Sequence, residues 1–186
     1  MQYNYQDLIQ LFNASFTKTY NTVLVKGGDE PIYIPANNEC SFHQVIFAHG
    51  YFSSALHEIA HWCQAGEKRR LLEDYGYWYV PDGRNEQQQK TFEAAEVYPQ
   101  ALEWAFNVAA KKKFNVSSDN LNGYQSDRLA FQEKVFQQVI VFLEQGFPAR
   151  AQAFINSLAA FYDTRLPLTK TDFIQQHHKE SFCEPI

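Results

Sequence analysis

The stretch SALHEIAHWCQAG, residues 54–66, sets two histidines four positions apart with a glutamate directly after the first: His57-Glu58-x-x-His61. On a helix this spacing sends both imidazoles off one face, where they can grip a single metal ion. Leu56, Ile59, Ala60 and Cys63 then fall on one apolar stripe, and the histidines lie together about a quarter turn away. Glu58 and Trp62 lie further round, so the helix is apolar on two sides and is expected to be buried. Imidazoles and a carboxylate in such surroundings are costly without partners, and a bound cation supplies one. Ser53 or Ser54 is the expected N-cap and Gly66 the expected stop. The competing reading is two core histidines satisfied by backbone carbonyls.

Two histidines do not complete a metal site. A third protein ligand is needed, with water or substrate in the open positions. Glu93 and Glu96, three apart in TFEAAEVYPQALEW, are neighbours on a helix face. Glu93, Glu96, Gln100 and Glu103 also read as a solvated stripe, and His43 and His49 compete as ligands. Periodicity does not select among them.

The rest of the chain bounds the fold. At 186 residues, 45% apolar and 16% aromatic, it suits one domain with a substantial core. The segment YQDLIQLFNASF has helical spacing, with Leu8, Leu11 and Phe12 on one side; TVLVKGG, EPIYIPA and QVIFAHG read as strands between Gly and Pro breaks. YGYWYVPDG is a fourth strand candidate, ending in a Pro-Asp-Gly turn. From about Glu86 onward QQQKTFEAAEV, PQALEWAFNVAA, RLAFQEKVFQQVIVFLEQG and ARAQAFINSLAAFY all look helical, and KKKFNVSSDNLNGYQSD is one long polar loop. This pattern predicts a single α+β domain over 1–186, with short strands in the N-terminal half and helices in the C-terminal half.

Charge and cysteine usage narrow the function. A formal charge of −5 disfavours a nucleic-acid binder, and the runs KRR at 68–70 and KKK at 111–113 are short enough to be solvated surface. Cys40, Cys63 and Cys183 are odd in number and lack C-x-x-C spacing, which argues against a disulfide framework or a thiolate zinc site; Cys63 reads as core. The N-terminus lacks a signal-peptide layout, and no apolar run suffices for a membrane span. The expectation is a soluble cytoplasmic protein without membrane partners.

Taken together, DEPIYIPA, VIFAHGYFSSALHEIAHWCQAGEKRRLLEDYGYWYVPDGR, FEAAEVYPQALEW and FNVSSDNL resemble the bacterial elongation factor P hydroxylase family over nearly the whole chain. The motif H-E-x-x-H alone is general, whereas the array AHG…HEIAHWC…G…R…YGYWYVPDGR is specific. The resemblance implies an iron-dependent, dioxygen-using enzyme that hydroxylates the lysyl-modified lysine of elongation factor P, the final step in maturing that translation factor. It also implies an α+β fold similar to a metal-dependent bacterial endoribonuclease. Carried over by position, the Fe(2+) ligands are His57, His61 and Glu96, with Glu93 the fallback carboxylate. Two imidazoles and a carboxylate on one face of iron(II) leave positions for dioxygen and water. Glu58 then acts beside the ligands, orienting one of them or tuning bound water.

The substrate group carries amines and enters as a cation, so carboxylates near the metal are expected to steer it. Asp74, Asp82, Glu86 and Glu93 lie in or beside the specific motifs, and Asp82 and Glu93 are the preferred substrate-binding candidates. The aromatic run Tyr75, Tyr77, Trp78 and Tyr79 can line a channel for the aliphatic stem, with Tyr79 the chosen contact, or can form a core strand. Arg84 is a docking contact or a structural anchor. The main rival is a zinc metallopeptidase that uses His57 and His61 as ligands and Glu58 as general base. A metal-dependent nuclease conflicts with the acidic charge balance, and a purely structural metal requires a fourth ligand such as His43 or His49. The usual 2-oxoglutarate oxygenase motif, His-x-Asp…His, is absent, so that cosubstrate is not expected and the electron donor stays open.

Overall fold

Helix α1, Tyr5–Tyr20, starts where Asn4 caps it by accepting the Gln6 N–H at 3.0 Å, and it buries Leu8, Phe12 and Phe16. Leu11 is only half-buried. The structure is a computed structural model and describes residues 3–74, 82–118 and 120–177. It divides into two compact units, Met1–Pro81 and Asp82–Ile186.

In the first unit the three expected strands form: β1, Thr22–Lys26; β2, Ile32–Ile34; and β3, His43–Phe47. They make one sheet in the order β1-β3-β2, with β1 parallel to β3 from Thr22↔His43 to Lys26↔Phe47 and β2 antiparallel to β3. Asn13 of α1 accepts the Leu24 N–H at 2.9 Å, tying helix to sheet. After β3 the chain turns at His49 and Gly50, both at positive φ. A Cβ on Gly50 would be strained by its φ of 74° and would meet the Lys26 side chain at 2.9 Å.

Helix α2, Phe52–Gln64, follows. Its N-cap is Tyr51 with no side-chain cap, not Ser53 or Ser54; Ser54 Oγ instead accepts the Ala48 N–H at 3.2 Å. The helix stops at Ala65, one residue before the expected glycine. Its apolar stripe is buried as the spacing predicts, including Cys63. Trp62 is buried too, its ring 5.0, 4.8 and 5.5 Å from those of Phe12, Phe16 and Tyr20. That aromatic cluster locks α2 against α1 and so fixes which side of α2 faces outward. A short 3-10 turn, Arg69–Leu71, comes next.

The second unit is helical. Helix α3, Glu86–Ala109, joins two segments that the sequence pattern separates at Pro99. A proline inside a helix removes one backbone bond, yet here the burial of Ala101, Leu102, Trp104, Ala105 and Phe106 outweighs that loss. Its start is a capping box, Asn85 with Gln88. Helices α4, Arg128–Gln145, and α5, Ala149–Tyr162, fall where expected, and α6, Lys170–His177, is an addition. Trp104 is the hub of this core, with Phe114, Phe136 and Phe173 rings at 5.0, 5.8 and 5.9 Å. The described residues thus bear out an α+β composition of six α-helices and one three-stranded sheet. The fourth strand candidate lies largely at 75–81, outside the described residues. Among the described residues no helix is long and apolar enough to cross a membrane.

Candidate metal centre

Because α2 is anchored through Leu56, Ile59, Ala60, Trp62 and Cys63, its spacing brings His57 and His61 together on an adjacent, half-buried face. Their Nε2 atoms are 3.1 Å apart, with the rings at 74°. Two ring nitrogens at that distance share either one proton or one cation; two protonated rings would repel. His61 also lies in the last turn of α2, where the negative end of the helix dipole favours positive charge. The donor chemistry therefore fits a divalent metal.

A cavity open to solvent reaches His61 and Glu58. Its walls include Tyr33, Trp62, Arg69, Arg70 and Asp74. Tyr33 and Asp74 exchange backbone hydrogen bonds of 2.7 and 3.0 Å, and the Tyr33 hydroxyl donates to the Arg70 carbonyl at 2.9 Å. Arg69 Nε donates to Asp74 Oδ2 at 2.5 Å. Arg70 is therefore not the solvated surface residue expected from its run of charges. Its position four residues past Gly66 gives no periodic signal for this.

The carboxylates of α3 are buried, with Glu93 6% and Glu96 1% exposed, so the solvated stripe expected from their spacing does not exist. The reason is the polar loop after α3. Gln100 exchanges hydrogen bonds with the backbone of Ser117 at 2.7 and 3.0 Å, and Gln89 donates to the Ser118 carbonyl at 3.2 Å. Each glutamine also donates to a carboxylate four residues away: Gln100 to Glu96 at 3.1 Å and Gln89 to Glu93 at 3.2 Å. The face that resembles a solvated stripe in sequence holds a loop, and both carboxylates are oriented by the same glutamines. Buried anions of this kind are stable only with such partners or a cation.

A family model described as elongation factor P hydroxylase matches residues 11–173. The chain belongs to the elongation factor P hydroxylase family. The Elongation factor P lysine hydroxylase of Haemophilus influenzae is 52% identical over 164 residues, covering 88% of this chain and 92% of that protein. The match to the elongation factor P hydroxylase model contains every candidate site residue of both units.

Within this family member the remaining candidates among the described residues have definite places. Arg84 is 1% exposed: its Nε donates to Gln89 at 2.8 Å, an Nη donates to the Ser118 carbonyl at 2.8 Å, and its guanidinium lies 3.8 Å from the Phe92 ring centre. These contacts are those of the anchor alternative. Asp82 accepts from the Asn122 backbone at 3.0 Å, the Asn122 side chain at 2.6 Å and the Gly83 N–H at 2.7 Å. Those bonds, the Asn122 backbone first, hold its carboxyl below the usual carboxylate range. His43 accepts the Ala36 N–H on Nδ1 at 3.0 Å, and His49 sits 3.7 Å from Asp29, so each of these competing histidines has partners of its own. Tyr75, Tyr77, Trp78 and Tyr79 lie outside the described residues.

Proposed function

We propose that this protein hydroxylates the lysyl-modified lysine of elongation factor P, using dioxygen and an Fe(2+) ion held by His57, His61 and Glu96. The observation that carries the reading is the 52% identity to a protein named for hydroxylating a lysine of elongation factor P. The residue types agree with it, since each of the three side chains offers one ligand atom and the set is two imidazoles and a carboxylate. We take residues 1–186 to act as one hydroxylase domain, similar in fold to the metal-dependent endoribonucleases and working in the cytoplasm.

Iron(II) in such a set supplies dioxygen activation. The chain's own side chains do the rest. His57 and His61 present their Nε2 atoms, and the buried Glu96 presents a carboxylate oxygen steadied by Gln100. Glu58, one residue along α2 from His57, orients a ligand or tunes bound water rather than serving as a base. Glu93 and Asp82 attract the cationic side chain, Tyr79 packs its stem, and Arg84 serves as an anchor that holds Gln89 and, through it, Glu93.

The test is mass spectrometry of modified elongation factor P after incubation with iron-loaded protein, with and without dioxygen. The expected result is one added oxygen that requires both iron and dioxygen. The zinc metallopeptidase reading is separated by Glu58→Gln. A peptidase loses its water-activating base and all turnover, whereas the hydroxylase keeps partial, oxygen-dependent activity. Peptide cleavage by the zinc form without oxygen, and no mass gain on elongation factor P, would refute the hydroxylase reading.

A further inference from the structure

We infer that the cavity reaching His61 and Glu58 binds a small organic anion through Arg70, and that this anion is the two-electron donor of the hydroxylation. The inference rests on the hydroxylase reading and deepens it.

Charge around the cavity leads to Arg70. Arg69 is neutralised by Asp74 at 2.5 Å. Arg70 is half-buried; its Nη1 donates to the Ala65 carbonyl at 2.8 Å and its guanidinium lies 5.8 Å from the Tyr20 ring centre. Among the described residues no carboxylate forms an ion pair with it. One positive charge is therefore left over beside the metal ligands. A guanidinium in a partly desolvated wall gains most from a planar anion that its fork can hold at two points. The hydrogen bond from the Tyr33 hydroxyl to the Arg70 carbonyl fixes the backbone from which that fork projects.

The stoichiometry calls for such a ligand. Inserting one oxygen atom of dioxygen into a C–H bond sends the other atom to water and consumes two electrons and two protons. Neither the lysine side chain nor the protein supplies them. Ascorbate, the monoanion of an enediol, gives two electrons and one proton on oxidation to the diketone, and water supplies the second proton. A 2-oxo acid reaches the same balance by releasing carbon dioxide and keeping the second oxygen atom in its new carboxylate. Both are small organic anions that match the leftover charge.

Ascorbate and 2-oxoglutarate are titrated separately, by calorimetry without oxygen, into the iron-loaded full chain, and each is then tried as donor in the hydroxylation assay. One of them is expected to bind and to support oxygen addition. Arg70→Gln should weaken that binding, and raise the KM for that anion, at least tenfold, with the KM for elongation factor P changed less than twofold. Arg70→Lys, which keeps the charge and loses the fork, should fall between and serves as the readout where the glutamine variant does not fold. The inference is overturned when neither anion binds, when both variants bind the anion as the parent does, or when uncharged dithiothreitol alone drives hydroxylation at the same rate. In those cases the hydroxylase reading survives provided that oxygen is still added to elongation factor P. Absence of oxygen addition with all three donors instead brings down the hydroxylase reading itself.

Discussion

The Nε2 atoms of His57 and His61 stand 3.1 Å apart on a half-buried face of a helix whose apolar stripe is buried. Two full positive charges at that distance repel by about 5 kcal/mol at an effective dielectric near 20. The pair therefore cannot hold two added protons at little cost, yet it can share one external cation. With a third, anionic ligand the cost of desolvating that cation is offset.

The first consequence concerns the histidines themselves. His57→Ala or His61→Ala is expected to cut metal content from about one ion per chain by at least tenfold, because a tetrahedral or octahedral site seldom survives with one imidazole gone. Both rings are half-buried, so unfolding of the metal-free variants should differ from metal-free parent protein by no more than about 1–2 kcal/mol. Elemental analysis and denaturation in chelator check the two halves. Full occupancy in either variant contradicts the assignment.

The second concerns the choice of carboxylate. Both Glu93 and Glu96 are buried on α3 and each accepts from a glutamine. Glu96→Gln should lower metal affinity roughly 10- to 100-fold or more, and Glu93→Gln only a few-fold, since a direct ligand contributes more than a neighbour. Metal titrations of the two variants side by side decide it. The reverse order moves the ligand to Glu93.

What could be read from the sequence divides along physical lines. The helix carrying His57 and His61 and the three strands were legible because a buried stripe has one period and a half-buried strand another. Helix α3 was legible as helical but not as one helix, because Pro99 signals a break and only packing keeps the helix going. The burial of Gln89, Glu93, Glu96 and Gln100 was not legible at all. Polar residues at helical spacing look the same whether they face water or hold a loop, and the loop's partners lie 17 and 29 residues away in sequence. Arg70 was hidden likewise in a run of charges, and its role depends on Tyr33, 37 residues earlier.

A pH effect follows at His43. Burial, and secondarily the Arg70 charge, lower its pKa below the usual imidazole value, and Nδ1 already accepts the Ala36 N–H. A depressed folded-state pKa means that the folded chain binds fewer protons than the unfolded one as pH falls below about 6.5. The stability linked to His43 is thus present above that value and is lost as pH drops through the folded-state value. An NMR titration should place His43 below an unstructured histidine, and Arg70→Gln should shift it upward. An unchanged midpoint in that variant removes Arg70 as a cause.

The last expectation separates anchoring from docking at Arg84. Its guanidinium is 1% exposed, bonded to Gln89 and the Ser118 carbonyl, and stacked over Phe92, while its backbone N–H donates to Asn120 at 2.8 Å. Arg84→Ala removes two charge-assisted hydrogen bonds and leaves buried acceptors unmatched, a loss of about 3 kcal/mol. For a chain of this size that corresponds to a fall in Tm of about 6–12 °C. Gln89 would lose the bond that holds it, and through Gln89 so would Glu93. Arg84→Lys keeps the charge but not the two-point geometry, and should recover less than half of the loss. Measured well below the lowered Tm, the KM for elongation factor P should stay within a few-fold of the parent value if Arg84 is an anchor. A Tm equal to the parent's together with a KM raised tenfold or more would show instead that Arg84 meets the substrate, and that its buried bonds contribute little to holding the loop.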